Sequence, residues 1–407
     1  MSERQVPSHV PIHVPTHVPA ELVRDFDYLD SSSETDVYRY FAKLHDGPDI
    51  FYTERNHGHW VFTRYADMEY VLQHSEDFSS KAHTIPMEGK PDPVPLVEYD
   101  GKLHADFRLL LSPFFTPKAV GDLKTKAGNF TNALIDEFYG RGECDFTRDF
   151  ALKMPIGIMM DLMGLPDSDR DYLLELSDNI VRADSAQMRA KAFADVYAYV
   201  GQKVLPLRRA NPGSDLFSCL LQGKVDGGRA LADKEIMGLG VLLIGAGLDT
   251  VVAMLGFITR FIADHPAHRQ QLLDDPALIN DALEEMMRRY HIANLARMVT
   301  RDIEYKSVQL KAGDLILLPT TLAGIDERRY VDPWTVNFQR NDKKILAFGT
   351  GPHQCIGAYL ARTELRVFLA EWLKRIPHFA VKPGVQVVTV TGRANATPSL
   401  PLVWKTQ

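Results

Sequence analysis

Cys355 closes a glycine-rich stretch, Phe348-Gly349-Thr350-Gly351-Pro352-His353-Gln354-Cys355-Ile356-Gly357, directly ahead of a run whose apolar residues Leu365, Leu369, Trp372, Leu373 and Ile376 recur at helical spacing. A thiol just before a helix meets unpaired N–H groups and the positive end of the helix dipole, and both favour a thiolate. The glycines let backbone approach a flat cofactor closely. By itself, a cysteine in such a place is more often a small buried hydrophobe. Asp249-Thr250 sets an acid beside an alcohol, a pair that can relay protons but is usually just a polar interruption in a helix. Glu285 and Arg288, three apart, would ordinarily be a surface ion pair. His104 and Arg108, four apart, read either as solvated helix residues or as an anion clamp.

These residues need elements to hold them. Met237 to Ile258 is an apolar run with no Lys, Arg or Glu, long enough to cross a bilayer. Asp249 in its middle, five glycines and no flanking basic cluster favour a buried central helix instead. Helical periodicity dominates elsewhere, without the βαβ alternation of a doubly wound sheet. Ile50–Thr53 and Trp60–Thr63 flank Asn56-His57-Gly58 as a hairpin. Val308–Leu310 and Asp314–Leu318 surround Ala312-Gly313 as a second β pair, with more expected at Val387–Val390 and Leu402–Trp404. The Pro-rich stretch Ile85 to Leu96 reads as a long functional loop.

At the N-terminus His9, His13 and His17 fall four apart, but Pro7, Pro11, Pro15 and Pro19 share that period and forbid a helical metal clip. Residues 1–20 are therefore expected to form a flexible arm, ahead of a single domain over 21–407. No secretory signal is read here. With 407 residues and 45% apolar content the chain can bury a large core, and a net charge of −7 argues against nucleic acid or an anionic membrane as main partner. Three scattered cysteines, Cys144, Cys219 and Cys355, form no disulfide framework and fit a reducing cytoplasm.

Taken together, the segments resemble the cytochrome P-450 superfamily. Phe348-x-x-Gly351-x-His353-x-Cys355-x-Gly357 looks like its haem-ligand loop, and Ala246-Gly247-Leu248-Asp249-Thr250 like its oxygen-activating central-helix motif. Glu285-x-x-Arg288 resembles its structural ion pair, and His104-x-x-x-Arg108 its haem-propionate motif. All four stand in the family's chain order. Gly247–Val252, Arg288-Arg289 and Leu400–Trp404 are similar to the bacterial camphor-hydroxylase group in particular.

The resemblance implies a mainly α fold with a small β region, a triangular prism with a long central helix, binding haem b through Cys355 as the iron ligand. Phe348, Gly349, Gly351, Gly357, Ala246 and Gly247 would border the haem; His104, Arg108, Arg297 and His353 would hold its carboxylates. Leu295 stands where the camphor-hydroxylase group carries an aspartate, so one propionate contact is expected to be missing or replaced. The reaction implied is a monooxygenation, with Asp249 and Thr250 delivering protons and Arg182 as a salt-bridge partner of Asp249. A thiolate ligand favours O–O cleavage of dioxygen. Glu285 and Arg288 would lock the core.

No dinucleotide fingerprint or flavin domain follows the haem segment, so electrons must come from outside. By resemblance the donors are an iron-sulfur ferredoxin and a flavin-containing reductase, docking at Arg362, Lys343, Lys344 and Arg108. The substrate is expected to be a small apolar terpenoid or norisoprenoid ketone, lined by His83, Thr84, Leu96, Tyr99, Leu242, Gly245 and Ala293. Small Gly245, Ala246 and Ala293 leave volume, and His83 or Tyr99 would donate to a carbonyl. A monomer is expected. A peroxide-driven oxygenase, a non-catalytic haem sensor and a membrane protein are the competing readings.

Overall fold

A computed structural model describes residues 14–87, 92–182 and 186–406. The apolar run extends at both ends into one helix, Asp233–Asp264, 32 residues long. Its start is fixed by Glu235, whose carboxylate reaches back to the Ala232 N–H at 2.8 Å, so the first-turn acids also face the positive end of the dipole. By length and composition alone this helix could cross a membrane, yet 59% of its apolar window is buried inside the protein. It is the core helix that its central carboxylate demanded. Helices Lys153–Met163, Arg170–Arg182 and Ala186–Tyr199 pack against it, and Pro117–Asp136 packs against the helix that follows the cysteine loop, Ala358–Arg375.

The main sheet has five strands in the order Ile50–Thr53, His59–Phe62, Leu315–Pro319, Asn294–Val299, Phe78–Ser79. The first two form the expected hairpin, with Ile50 opposite Phe62 and Thr53 opposite His59. Gly58 closes it at φ +78°, where a Cβ would stand 2.2 Å from the Tyr52 hydroxyl. The second expected pair is corrected. Val308–Leu310 pairs with Ile303–Tyr305, whereas Leu315–Pro319 joins the main sheet, parallel to His59–Phe62 and antiparallel to Asn294–Val299. Its sequence Leu-Ile-Leu-Leu-Pro is apolar on both faces, which suits a central strand better than an exposed hairpin. Pro401–Trp404 pairs with Phe379–Val381 and Glu143–Asp145, while Val387–Val390 contributes one isolated bridge, Val390 to Ala396.

The expected arm also shortens. Val18 is buried, and His17 Nε2 lies 2.9 Å from Asp314 Oδ2, which also accepts the Trp60 indole N–H at 2.9 Å. Residues 14–20 are thus part of the body, because Asp314 offers His17 a partner that residue spacing could not reveal. His9 and His13 lie outside the described residues.

Glu285 and Arg288, on helix Ile279–Arg289, have no exposed surface. Arg288 donates to both Glu285 oxygens, at 2.9 and 3.0 Å, and to the carbonyls of Gly324, Pro333 and Thr335. Arg340 supplies the other side of the same carboxylate at 3.0 Å. The surface reading of this pair fails because every remaining lone pair and N–H has been given a partner, the condition under which charge can be buried.

Candidate active site

The cysteine loop is shaped by backbone. Gly351 sits at φ +73°, and a Cβ there would come within 2.4 Å of the Leu72 carbonyl oxygen, so no side chain fits. The Cys355 N–H donates to the Phe348 carbonyl at 2.9 Å, and Ala358–Arg375 begins three residues later. Gly349 adopts φ +65° and Gly357 adjoins the sulfur, where a Cβ would lie 3.8 Å away. The Arg362 guanidinium covers the Phe348 ring at 4.5 Å.

Cys355 is exposed by surface area, yet protein surrounds it closely enough that burial pushes its thiol above the ordinary value, against the Gly357 N–H, Arg108 and Arg362. The sulfur thus keeps open surface although protein lies close around it. The Gly357 N–H favours the thiolate, as expected of a helix start, but burial outweighs it, so a metal at the sulfur would have to draw the proton off. Cys144, buried in a strand, and Cys219 are likewise pushed up by burial and lie on other elements.

Cationic and donor side chains converge on this loop from three elements. Arg108, on helix Gly101–Leu111, donates to the Gln354 carbonyl at 2.7 Å. His104, one turn earlier, stacks on His353 with ring centres 4.0 Å apart, and His353 Nε2 lies 3.3 Å from Asp100. Burial, reinforced by His353 and Arg108, pulls His104 down to about 4. Burial opposes the Asp100 carboxylate, but hydrogen bonds from His353 and Ser79 hold it below its ordinary value. Arg297, on strand Asn294–Val299, is 6% exposed, donates to the Ala296 carbonyl at 2.7 Å, and is pulled down to about 10 by burial. A buried guanidinium satisfied mainly by its own backbone calls for an anion. Leu295, beside it, is partly buried and has no polar group to offer. An open sulfur with this donor set fits a flat, dianionic iron porphyrin.

The central helix carries a window. Leu243, Ile244 and Val251–Leu255 are buried, but Ala246 and Thr250, one turn apart, are exposed. The Thr250 hydroxyl donates to the Ala246 carbonyl at 2.9 Å, and Asp249 is half-buried and engaged. Two glycine readings are corrected. A Cβ on Gly247 would meet Met159 Cε at 2.4 Å, so Gly247 makes room for helix Lys153–Met163 rather than for haem or dioxygen. Gly245 faces Phe193, 3.5 Å from where its Cβ would be. The side chain of Arg182 lies outside the described residues.

The substrate candidates are spread over the loop, the helix and the sheet. His83 Nδ1 lies 2.7 Å from Glu98, which also accepts the Val94 N–H at 2.5 Å, so His83 braces its loop and is not an idle donor. Tyr99 packs on Phe107 at 5.1 Å; burial, then Glu235, raises its pKa, so it too is engaged. Thr84 and Leu96 are buried, and Leu242, Gly245 and Ala293 are partly buried. The basic docking patch is also corrected. Lys343 pairs with Asp281 at 2.6 Å, Lys344 with Glu69 at 2.6 Å and Arg362 with Glu284 at 2.5 Å, so their charges are largely neutralised. Sequence reasoning missed Asp100 and Arg340, whose partners lie far along the chain and leave no spacing signal.

Comparison with protein families matches the cytochrome P-450 family over residues 274–405. The "Probable cytochrome P-450 127A1" of Sinorhizobium fredii is 34% identical over 395 residues, covering 94% of this chain and 95% of that protein. The steroid C26-monooxygenase of Mycolicibacterium smegmatis is 31% identical over 364 residues, 88% of each chain. Among solved structures, CYP101J2 and CYP101C1 each superpose with a TM-score of 0.89 at 33% identity, over 97% of this chain and 100% of theirs.

Proposed function

The chain belongs to the cytochrome P-450 family of haem-thiolate monooxygenases, and from that premise we propose that it hydroxylates a terpenoid-sized apolar substrate, a norisoprenoid ketone being the first to try, with electrons from a ferredoxin. The observation that carries this reading is the combination of a Cys355 sulfur that keeps open surface with exposed Ala246 and Thr250 on a helix whose flanking residues Leu243, Ile244 and Val251–Leu255 are buried.

When bound, haem supplies the redox chemistry that splits dioxygen, and a thiolate ligand favours that splitting. Cys355 is the residue that would hold its iron. His104, Arg108, Arg297 and His353 would hold its carboxylates, removing the cost of the buried Arg297 charge. Phe348, Gly349, Gly351 and Gly357 shape the sulfur side, and Ala246 keeps the helix side low. Asp249 would pass protons inward, and Thr250, by turning its hydroxyl off the Ala246 carbonyl, would hold the water that receives them. The apolar walls keep other water out.

Ferredoxin and a flavin-containing reductase remain the proposed donors, although with Lys343, Lys344 and Arg362 neutralised their docking face needs other contacts. The three unpaired cysteines and the inward-packed central helix support a cytoplasmic enzyme. One core cluster that runs from Val14 to Trp404 supports a single domain, proposed to act as a monomer. The small, partly buried Ala293 supports a roomy pocket.

Titrating the haem-loaded protein with a terpenoid panel tests the substrate reading. A shift in haem absorption with cyclic ketones, followed by a product carrying one atom from isotopically labelled dioxygen, is expected. Product formed with hydrogen peroxide but never with dioxygen and ferredoxin would favour the peroxide-driven alternative.

A further inference from the structure

Helix Ala358–Arg375 follows the cysteine loop at its start and borders a recess at its end. Its 18 residues rise about 27 Å, so the recess is separate from the sulfur side. Pro377 cannot continue the helix, and the chain turns into strand Phe379–Val381, whose pairing with Pro401–Trp404 sets Phe379 opposite Trp404. Between this strand pair, helix Pro266–Asp274 and the turn Tyr139–Arg141 the recess measures about 630 Å³, within the range of small-molecule sites.

Tyr139, Phe379 and Trp404 give it an aromatic lining, Arg269, Arg375 and Lys405 give it charge, and no carboxylate lines it. Arg375 is balanced by Asp136 at 2.5 Å and also donates to Asn132 at 3.1 Å. Arg269 is not balanced. It is 8% exposed, its guanidinium lies 5.2 Å from the Phe379 ring centre, and only Nη1 is bonded, to the Ile262 carbonyl at 3.1 Å and the Phe379 carbonyl at 2.6 Å. Both acceptors are neutral. Its Nε and Nη2 are not among the sealed, unpartnered atoms of the interior, so they keep open surface, and the open space that Arg269 lines is the recess. Burial pulls the group below its ordinary value with no acid acting against it.

We infer that the recess binds a small carboxylate with an aromatic or apolar body, its oxygens on the Nε–Nη2 edge of Arg269 and its body against Phe379 and Trp404. The planar edge of a guanidinium matches two carboxylate oxygens, and a buried charge without a counter-ion gains most from one. Lys405, exposed at the rim, attracts the same sign of ligand. The inference is independent of which molecule is oxidised at the haem side.

The test is a calorimetric titration of the haem-loaded enzyme with benzoate, naphthoate and biphenylcarboxylate and with the matching primary amides, with and without imidazole saturating the iron. At least one acid is expected to bind about tenfold or more tighter than its amide, equally in both conditions. Arg269→Gln should abolish that preference. If this variant does not fold, Lys405→Glu on the rim decides, lowering acid affinity about threefold and leaving the amides unaffected. Acids binding no better than amides, a preference that survives Arg269→Gln, or, where Lys405→Glu decides, an unchanged acid affinity overturns the inference. Acid binding that imidazole abolishes would put the ligand beside the haem and overturn it too.

Discussion

Glu285 and Arg288 have no exposed surface, and each of their charged atoms is met by another group within 3.2 Å. Thr250, on the central helix, is exposed and returns its hydroxyl to the Ala246 carbonyl of its own helix. The first region, on a helix that packs against Ala358–Arg375 just after the cysteine loop, satisfies its polar groups with one another. The second leaves an alcohol exposed and an acid half-buried on a helix whose following turns are buried. Rigidity where iron would be held and reachable polarity where protons must move are the two requirements of this chemistry, and the chain assigns them to different elements.

The largest expected effect attacks the first region. Cys355→His should abolish oxygenation while some haem still binds, because imidazole replaces the electron-donating thiolate. In the ferrous carbon monoxide spectrum the long-wavelength band should vanish; its survival would mean that another residue is the ligand. Replacing Cys144 or Cys219 with alanine should leave the band in place.

Arg288→Ala should cost about 3–5 kcal/mol of stability, towards the lower end because Arg340 still meets the Glu285 carboxylate. Urea unfolding and haem content would measure it. A loss below about 1 kcal/mol would return the pair to the status of a surface ion pair.

In the second region Asp249→Asn should slow turnover by roughly 10²-fold, as expected when a proton relay is cut, with little change in stability. Stability falling as far as in Arg288→Ala would show that the two regions share one role.

A smaller effect tests whether rigidity near the sheet depends on neutral imidazole. Burial pulls His291 down to about 4 from 6.5, and its Nδ1 lies 2.8 Å from the Thr320 carbonyl. The unfolded chain therefore takes up a proton first as pH falls. This contribution is complete above pH 6.5 and is lost between 6.5 and about 4. His291→Gln should lose about 1–3 kcal/mol less than wild type when unfolding is compared at pH 7 and pH 4.5. Equal losses in both proteins would contradict it.

Much of this was legible beforehand because the chemistry lies in short spacings. The cysteine loop, the acid–alcohol pair and the central helix are local patterns, and the hairpin at Gly58 follows from its turn residues. What stayed hidden depends on partners far along the chain. Periodicity said that Leu315–Pro319 is a strand but not that it leaves Val308–Leu310 for the main sheet. Composition made Lys343, Lys344 and Arg362 a basic patch, but their partners Asp281, Glu69 and Glu284 come from elsewhere. Gly247 looked like space for dioxygen until Met159 was found to fill it. Arg340 reaches Glu285 across 55 residues, and no motif connects them.

The division of labour between the two regions is tested most directly by Thr250→Ala, since alanine is well tolerated in a helix and only one hydroxyl is lost. In the reconstituted enzyme, the thiolate band, nicotinamide consumption, product and hydrogen peroxide would be measured on the same sample. The account predicts an intact band and continued nicotinamide consumption, with product falling and hydrogen peroxide rising in its place. An unchanged ratio of product to nicotinamide, or loss of the thiolate band, would contradict it.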